Sequence, residues 1–402
     1  MRDLDESYVL GNARIIAPQE EIPGAVAVEQ GRIAGISRKM PARFVDCEGD
    51  YLLPGFIDIH TDNFEKHAIP RSGVIWNLLT AVGSHDAMMI AAGTTTVFDS
   101  LVAGGAGNAV RRNLLPPAIE AIDKAADFGL LRADHFLHVR CDIVERASAP
   151  LAEALLDHPK LRFVTFIDDQ PDRDPERAAF VHERRRGLQR GSLNGAIAPT
   201  AEEDFAGAED RRRRLVAECQ RRNIPVANHD DTRAAHVDDA ARLGMRLAEF
   251  PITLEAATAA RAHGMTIICG APNLVRGGSH TGNVSVADLI RAKMVDVLCS
   301  DYIPSSILQA VFLLTSEKFG WSLPAAVALA SDRPAELFGL TDRGRIEPGR
   351  QADLVRVRLV DGAPAVHSVW RAGRLVFGAM PSRSAQTIPA RNAVRMAAVA
   401  QR

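Results

Sequence analysis

From about residue 52 to residue 301 the chain repeats one pattern. A short apolar run is followed by a segment of helical period, eight times over. The first run enters through Leu52-Leu53-Pro54-Gly55 and ends on His60-Thr61-Asp62. The others cover 94–99, 135–142, 163–169, 224–231, 247–250, 265–270 and 295–301. Their length and bounding turn residues read as strands. Segments between them, such as 86–92, 233–243, 254–263 and 286–294, read as helices. Strands alternating with helices imply a parallel sheet, and eight such units imply a (β/α)₈ barrel. The expected fold class is therefore α/β, a TIM-like barrel.

The flanks follow another rhythm. Residues 7–53 hold short strand-like runs at 8–10, 13–16, 25–28 and 32–36, with Gln30-Gly31 as a turn. That segment is too short to close a core alone. Similar short strands with glycine turns recur at 352–357 and 369–376. We expect residues 1–53 and 341–385 to form one small β-domain. The barrel spans 54–340 between them, and 386–402 is a C-terminal tail.

Composition narrows the class. The chain has 402 residues, 47% of them hydrophobic, enough for one large domain and one small one. A net charge of −2 gives no global field for nucleic acid or a membrane surface, so neither is expected as a partner. Five scattered cysteines without a CxxC pair point to a reducing cytoplasm. The start lacks a signal-peptide pattern, and no apolar run approaches the roughly 18 residues of a membrane span.

The chemistry gathers at the run ends. Residues two apart on a strand share a face, so His60 and Asp62 point the same way. A parallel barrel carries its chemistry at the carboxyl ends of its strands. Those ends here are rich in Asp and His rather than Lys and Arg, which suits a divalent metal such as Zn, Mn, Fe or Mg. His60, Asp62, His229 and Asp301 are the expected ligands. Asp142 and Asp169 are candidates to complete or bridge a second ion. Asp301 is also placed to accept a proton from water. His138, in mid-strand, reads as a satisfied core histidine, and Asp86 as a helix-start residue with either a capping or a catalytic role. The glycine-bearing stretch after the seventh run carries Arg276 and His280 and suits an anion. Residues 170–220 are charged, with Arg184-Arg185-Arg186 and Arg211-Arg212-Arg213-Arg214. They read as a solvated helical excursion, with a cationic lid as the functional alternative.

Pro54-Gly55-Phe56-Ile57-Asp58-Ile59-His60, the paired terminal β-segments and Ser300-Asp301 resemble the amidohydrolase superfamily. Longer stretches resemble its phosphonate-pathway diphosphatase branch. They are His60-Thr61-Asp62-Asn63-Phe64-Glu65-Lys66-His67, Asn228-His229-Asp230-Asp231, Gly270-Ala271-Pro272-Asn273, Arg276-Gly277-Gly278-Ser279-His280 and Ser300-Asp301-Tyr302. The resemblance covers roughly residues 7–380. It implies hydrolysis of a ribose 5-triphosphate bearing a 1-methylphosphonate, giving the 5-phosphate and diphosphate, with one or two divalent ions. It implies Asp301, His280 and Lys66 as catalytic residues. It implies Arg71, Arg140, Arg276, His67 and Asn273 as contacts for a small anionic phosphorylated sugar, and a homodimer. Two runs depart from the branch. Its fourth strand ends in Met-Asp-His-Thr-Pro-Gly-Gln, where this chain reads Ile167-Asp168-Asp169-Gln170-Pro171-Asp172-Arg173. Its Cys-Glu is Cys141-Asp142 here. Both changes enrich carboxylates and favour harder ions such as Mn or Mg. Two alternatives stay open: an amidohydrolase cleaving a C–N bond, deacetylase-like or a cyclic amidase, and a non-catalytic barrel in a phosphonate-pathway assembly.

Overall fold

A computed structural model of the chain describes residues 7–71, 73–104, 111, 113–168, 204–279 and 282–378. These form two compact units. One holds residues 7–56, 90–93 and 311–378, and the other holds 57–89 and 94–310 within the described range.

The first unit is built on an eight-stranded sheet from both ends of the chain. Its strands are β1 (Tyr8–Ile16), β2 (Glu21–Glu29), β3 (Arg32–Ser37), β4 (Val45–Asp46) and β5 (Tyr51–Pro54). After the barrel come β14 (Leu354–Val360), β15 (Ala363–Arg371) and β16 (Arg374–Phe377). The path runs β16-β15-β14-β5-β1-β2-β3, with β4 on β1. The expected pairs 8–10 and 13–16 are one strand carrying a bulge between Leu10 and Ala13. Gln30-Gly31 is the tight turn between β2 and β3, with φ of 50° and 75°. Two consecutive left-handed residues match the twist of a two-residue hairpin. Ile15, Val26, Ile33, Leu52, Leu354 and Trp370 pack in the core of this unit. The segment 311–340, read from the sequence as barrel, groups here with the sheet.

The second unit is the barrel. Its strands are β6 (Phe56–Thr61), β7 (Thr94–Ala103), β8 (Asp134–Asp142), β9 (Leu161–Ile167), β10 (Val226–His229), β11 (Leu247–Glu249), β12 (Thr266–Gly270) and β13 (Val297–Cys299). They run in sequential order, and the paired neighbours whose direction is resolved are parallel. Each of the eight expected runs falls on one of them. The ring is joined past its last strands: Asp301 N–H donates to His60 O at 3.0 Å, and Asp62 N–H to Asp301 O at 2.6 Å. All ten residues of β7 are buried, as expected of a strand covered on both faces. Among the described residues, no helix is long and apolar enough to cross a membrane.

Arg211 and Arg212 are not solvated and do not form a lid. Their helix, Ala208–Arg221, turns them inward. Arg211 donates to Ile143 O at 2.9 Å and pairs with Asp204 at 2.8 Å. Arg212 pairs with Glu209 at 2.6 Å. The rest of the Arg-rich stretch, through residue 203, lies outside the described residues.

Candidate metal centre

The strand ends converge. His60 is the penultimate residue of β6, Asp62 follows it, His229 ends β10, Glu249 ends β11, and Asp301 lies just past β13. Glu249 sits between two imidazoles, accepting from His60 Nδ1–H and His229 Nδ1–H at 2.7 Å each. Both rings therefore direct Nε2 away from Glu249. His229 Nε2 accepts from Arg140 Nη2 at 2.9 Å, and Arg140 Nη1 donates to the two Asp62 oxygens at 2.9 and 3.1 Å. His60 Nε2 is buried and has no hydrogen-bond partner, with Asp62 Oδ1 3.5 Å away.

Two donor sets have atoms within 4.8 Å of one another here: His60–His229–Glu249 and His60–Asp62–Asp301. In the first set both Nδ1 atoms are satisfied by Glu249 through protons. The second set offers an unpartnered nitrogen beside two carboxylates, and it fits a divalent ion. The electrostatics agree. Burial opposes charge on His60, yet Glu249 and Asp62 push its pKa up to about 10, so the field there favours a cation. Burial also opposes charge on Asp62, but Arg140 and His60 hold it below the usual carboxylate range. Asp301 is raised, by burial and by the negative charge of Asp62. Glu249 is held well below the ordinary value, because His60, His138 and His229 outweigh its burial.

The backbone around the centre is strained. Asp230, Phe250 and Asp301, each beside a strand end, have φ of 62°, 53° and 53°. Left-handed geometry is tolerable for Asp and unusual for a bulky aromatic. At Phe250 it sets the ring 4.8 Å from the His60 ring and 5.4 Å from that of His229.

These residues border a cavity of about 510 Å³, lined by Asp62, Arg140, His229, Asp230 and Asp301 and by Arg276, Ser279, Asn283 and Tyr302. Arg276 is exposed there. Asn273 also lines the cavity, but its amide is engaged, donating to Val284 O at 3.1 Å and accepting from Val286 N–H at 2.9 Å. These two bonds hold the loop and use one of its two amide N–H donors. Lys66 is exposed; its ammonium meets Tyr302 O and lies 5.4 Å from the Tyr302 ring.

Other expected site residues fall elsewhere. Arg71 is exposed and its backbone pairs with Val74; it does not line the cavity. His67 meets Asn63 Nδ2 at 3.3 Å, at one end of a buried polar chain. Asp142 is not drawn into the ligand sets among the described residues: its Oδ1 accepts from Val144 N–H at 3.3 Å, and it is Arg140 of β8 that bonds Asp62 and His229. Asp86 is neither a cap nor part of the centre. It lies inside the helix Leu78–Ala91, where its carboxylate accepts from Arg132 and Ala133 N–H at 2.8 and 2.9 Å. Asp169 and His280 lie outside the described residues. His138 is buried, bonded to Thr165 at 2.9 Å, as expected of a core histidine. Glu249 was not among the expected ligands; an acid closing the sixth run, where neighbouring runs close in Asp and His, is the signal that marks it.

A model of the amidohydrolase family matches residues 51–376. The chain belongs to the amidohydrolase family. It is 37% identical over 380 residues to the alpha-D-ribose 1-methylphosphonate 5-triphosphate diphosphatase of Escherichia coli (strain K12), covering 92% of this chain and 100% of that one. An adenine deaminase of Nitratidesulfovibrio vulgaris (strain DP4) is 27% identical over 92% of this amidohydrolase and 57% of its own length. Among solved structures, the N-acetyl-D-glucosamine-6-phosphate deacetylase of Mycobacterium smegmatis has a TM-score of 0.60 at 17% identity, covering 92% of this chain and 99% of that one. That likeness is one of fold.

Proposed function

We propose that this amidohydrolase is a metal-dependent diphosphatase. Its substrate is alpha-D-ribose 1-methylphosphonate 5-triphosphate, hydrolysed to the 5-phosphate and diphosphate in phosphonate breakdown. The observation that carries this reading is a cation-seeking donor set opening into a cavity with Arg276 on its lining. The 37% identity to the Escherichia coli diphosphatase along its full length supports it.

His60, Asp62 and Asp301 would hold one divalent ion, Zn, Mn, Fe or Mg. Bound there, the ion supplies Lewis acidity to the phosphoryl group and acidity to the attacking water. Glu249 holds His60 with its lone pair toward that position. Asp301, beside His60 and Asp62 at the end of the eighth strand, accepts the water's proton. The water oxygen bonds to the α-phosphorus, the bond from that phosphorus to the bridging oxygen breaks, and diphosphate leaves with the electron pair. Arg276, on the cavity lining, offsets the phosphate charges, and Lys66, against Tyr302 of that lining, is the second cation proposed for this role.

Phosphorus NMR of the purified protein with Mn, Zn or Mg and this triphosphate tests the proposal. Diphosphate with a 5-monophosphate is the expected result. Orthophosphate with a 5-diphosphate moves the attack to the terminal phosphorus. The 27% likeness to an adenine deaminase favours C–N hydrolysis as the second reading. Phosphate inertness together with turnover of an amide or amidine substrate would establish it. A chain inert toward both with every metal would be the non-catalytic barrel.

A further inference from the structure

Beside the proposed ion, the Asp62 oxygens and His229 Nε2 are engaged by Arg140. We propose that Arg140 is the second cation of this centre: the chain takes one divalent ion, and the Arg140 guanidinium holds the neighbouring position on Asp62 and His229. The inference rests on the metal-centre reading above, but not on the identity of the substrate.

A second ion would need donors next to the first. Among the described residues, the side chains at hand are the Asp62 carboxylate, which the two positions share, His229 Nε2, and the Asp230 carboxylate 3.6 Å from that nitrogen. Arg140 lies on Asp62 and His229. Its Nη1 is 2.9 and 3.1 Å from the Asp62 oxygens, and its Nη2 is 2.9 Å from His229 Nε2. His229 cannot turn its other nitrogen to an ion, because Nδ1–H is bonded to Glu249 at 2.7 Å. The guanidinium thus caps the lone pair that would otherwise ligate.

The placement is built in. Arg140 sits on β8, a strand paired along its length on both sides, and is only 3% exposed. Guanidinium keeps its charge at any physiological pH, so it cannot yield the position by losing a proton, as a buried lysine could. Its planar fork reaches two acceptors together, which a spherical ammonium does not. Of the proposed ligands of the first ion, His60 Nε2 stays clear of Arg140's hydrogen bonds and has no partner, while Asp62 is shared between the ion and the guanidinium.

The test counts ions. The full-length chain, stripped with chelator, is titrated with Mn²⁺ and bound metal is measured by equilibrium dialysis. Wild type should take one Mn²⁺ per chain. Arg140→Met and Arg140→Gln, which remove the charge, should each take a second, weaker ion, while Arg140→Lys stays nearer one. Two ions on wild type, or one ion on both neutral variants, would overturn the proposal. No bound ion on wild type would remove the metal centre itself, and this inference with it. An anomalous-scattering map of the Mn-loaded wild type gives an answer independent of any variant's folding. One peak at His60, Asp62 and Asp301, with Arg140 still on Asp62, supports the assignment. An ion seated on His229, with Arg140 displaced, refutes it.

Discussion

Glu249 decides which nitrogen of two histidines faces the cavity. It is fully buried and accepts from both Nδ1–H groups at 2.7 Å. A carboxylate has acceptor capacity for two such donors; a carboxamide has one acceptor oxygen and an NH₂ that would confront the second N–H. Glu249→Gln is therefore a small change in shape and a large one in hydrogen bonding. It should free at least one imidazole to rotate or change tautomer. Losing such an outer partner costs roughly 10- to 100-fold in metal affinity. We expect Mn²⁺ binding to the Gln variant to weaken by about that factor in dialysis, with an unchanged circular dichroism spectrum. Affinity equal to wild type would show that Glu249 does not orient His60.

At the scale of the element, the helix Leu78–Ala91 is tied to β7 and β8 by buried charge. His85 donates from Nε2 to Asp99 at 2.8 Å and accepts at Nδ1 from Asn63 at 2.9 Å. His135 donates to Asp99 at 2.8 Å, and its other nitrogen faces Asp86 at 3.4 Å. Burial opposes charge on His135, but Asp99 and Asp86 push its pKa up to about 9, from an ordinary 6.5. A pKa raised on folding means that the native state holds the proton more tightly. The stabilisation is complete below about 6.5 and is lost as pH climbs through about 9. Asp99 has the opposite sign. His135 and His85 hold it below the usual carboxylate range despite burial, so its contribution is present above the ordinary carboxylate value and lost in acid. Denaturant titrations should show stability falling from pH 6.5 toward 9.5, and the alkaline fall should shrink in His135→Gln. An unaltered slope in that variant would assign the fall to other groups. This network also shows what the sequence could not convey. Strand ends were legible because period-two faces and terminal acids carry local signals. Asp86 was not, because its partners lie 46 or more residues away and its helix begins eight residues earlier than the periodicity suggested. Asp142 and Arg140 share a strand face, and the pattern alone does not tell which of the two reaches the centre.

At the scale of the whole molecule, the first unit depends on segments some three hundred residues apart meeting in one sheet. β5 pairs with β14 in antiparallel register from Leu354 opposite Pro54 to Val357 opposite Tyr51. The sequence disclosed this pairing indirectly: neither terminal set of strands could close a core, so each needed the other. What it did not disclose is the charge that locks the seam. Arg356, on β14, is fully buried and pairs with Asp50 at 2.6 Å; Arg358 reaches the same carboxylate at 2.9 Å. Removing one partner of a buried pair leaves an uncompensated charge, at a cost of roughly 3–5 kcal/mol. Glu48 remains 3.1 Å from Arg356 but is half-exposed, so it compensates weakly. The lower part of that range is the reasonable expectation. Asp50→Ala should lose about 3 kcal/mol in urea unfolding of the transition that reports this sheet. Arg356→Met in the same background should recover part of it, because the stranded cation is then gone. The fluorescence of Trp370, buried in the core of this unit, can follow that transition. Mn²⁺ stoichiometry should be unchanged, since none of these side chains belongs to the centre. If Asp50→Ala costs less than about 1 kcal/mol, or the second change recovers nothing, the seam is held by strand pairing and apolar packing alone.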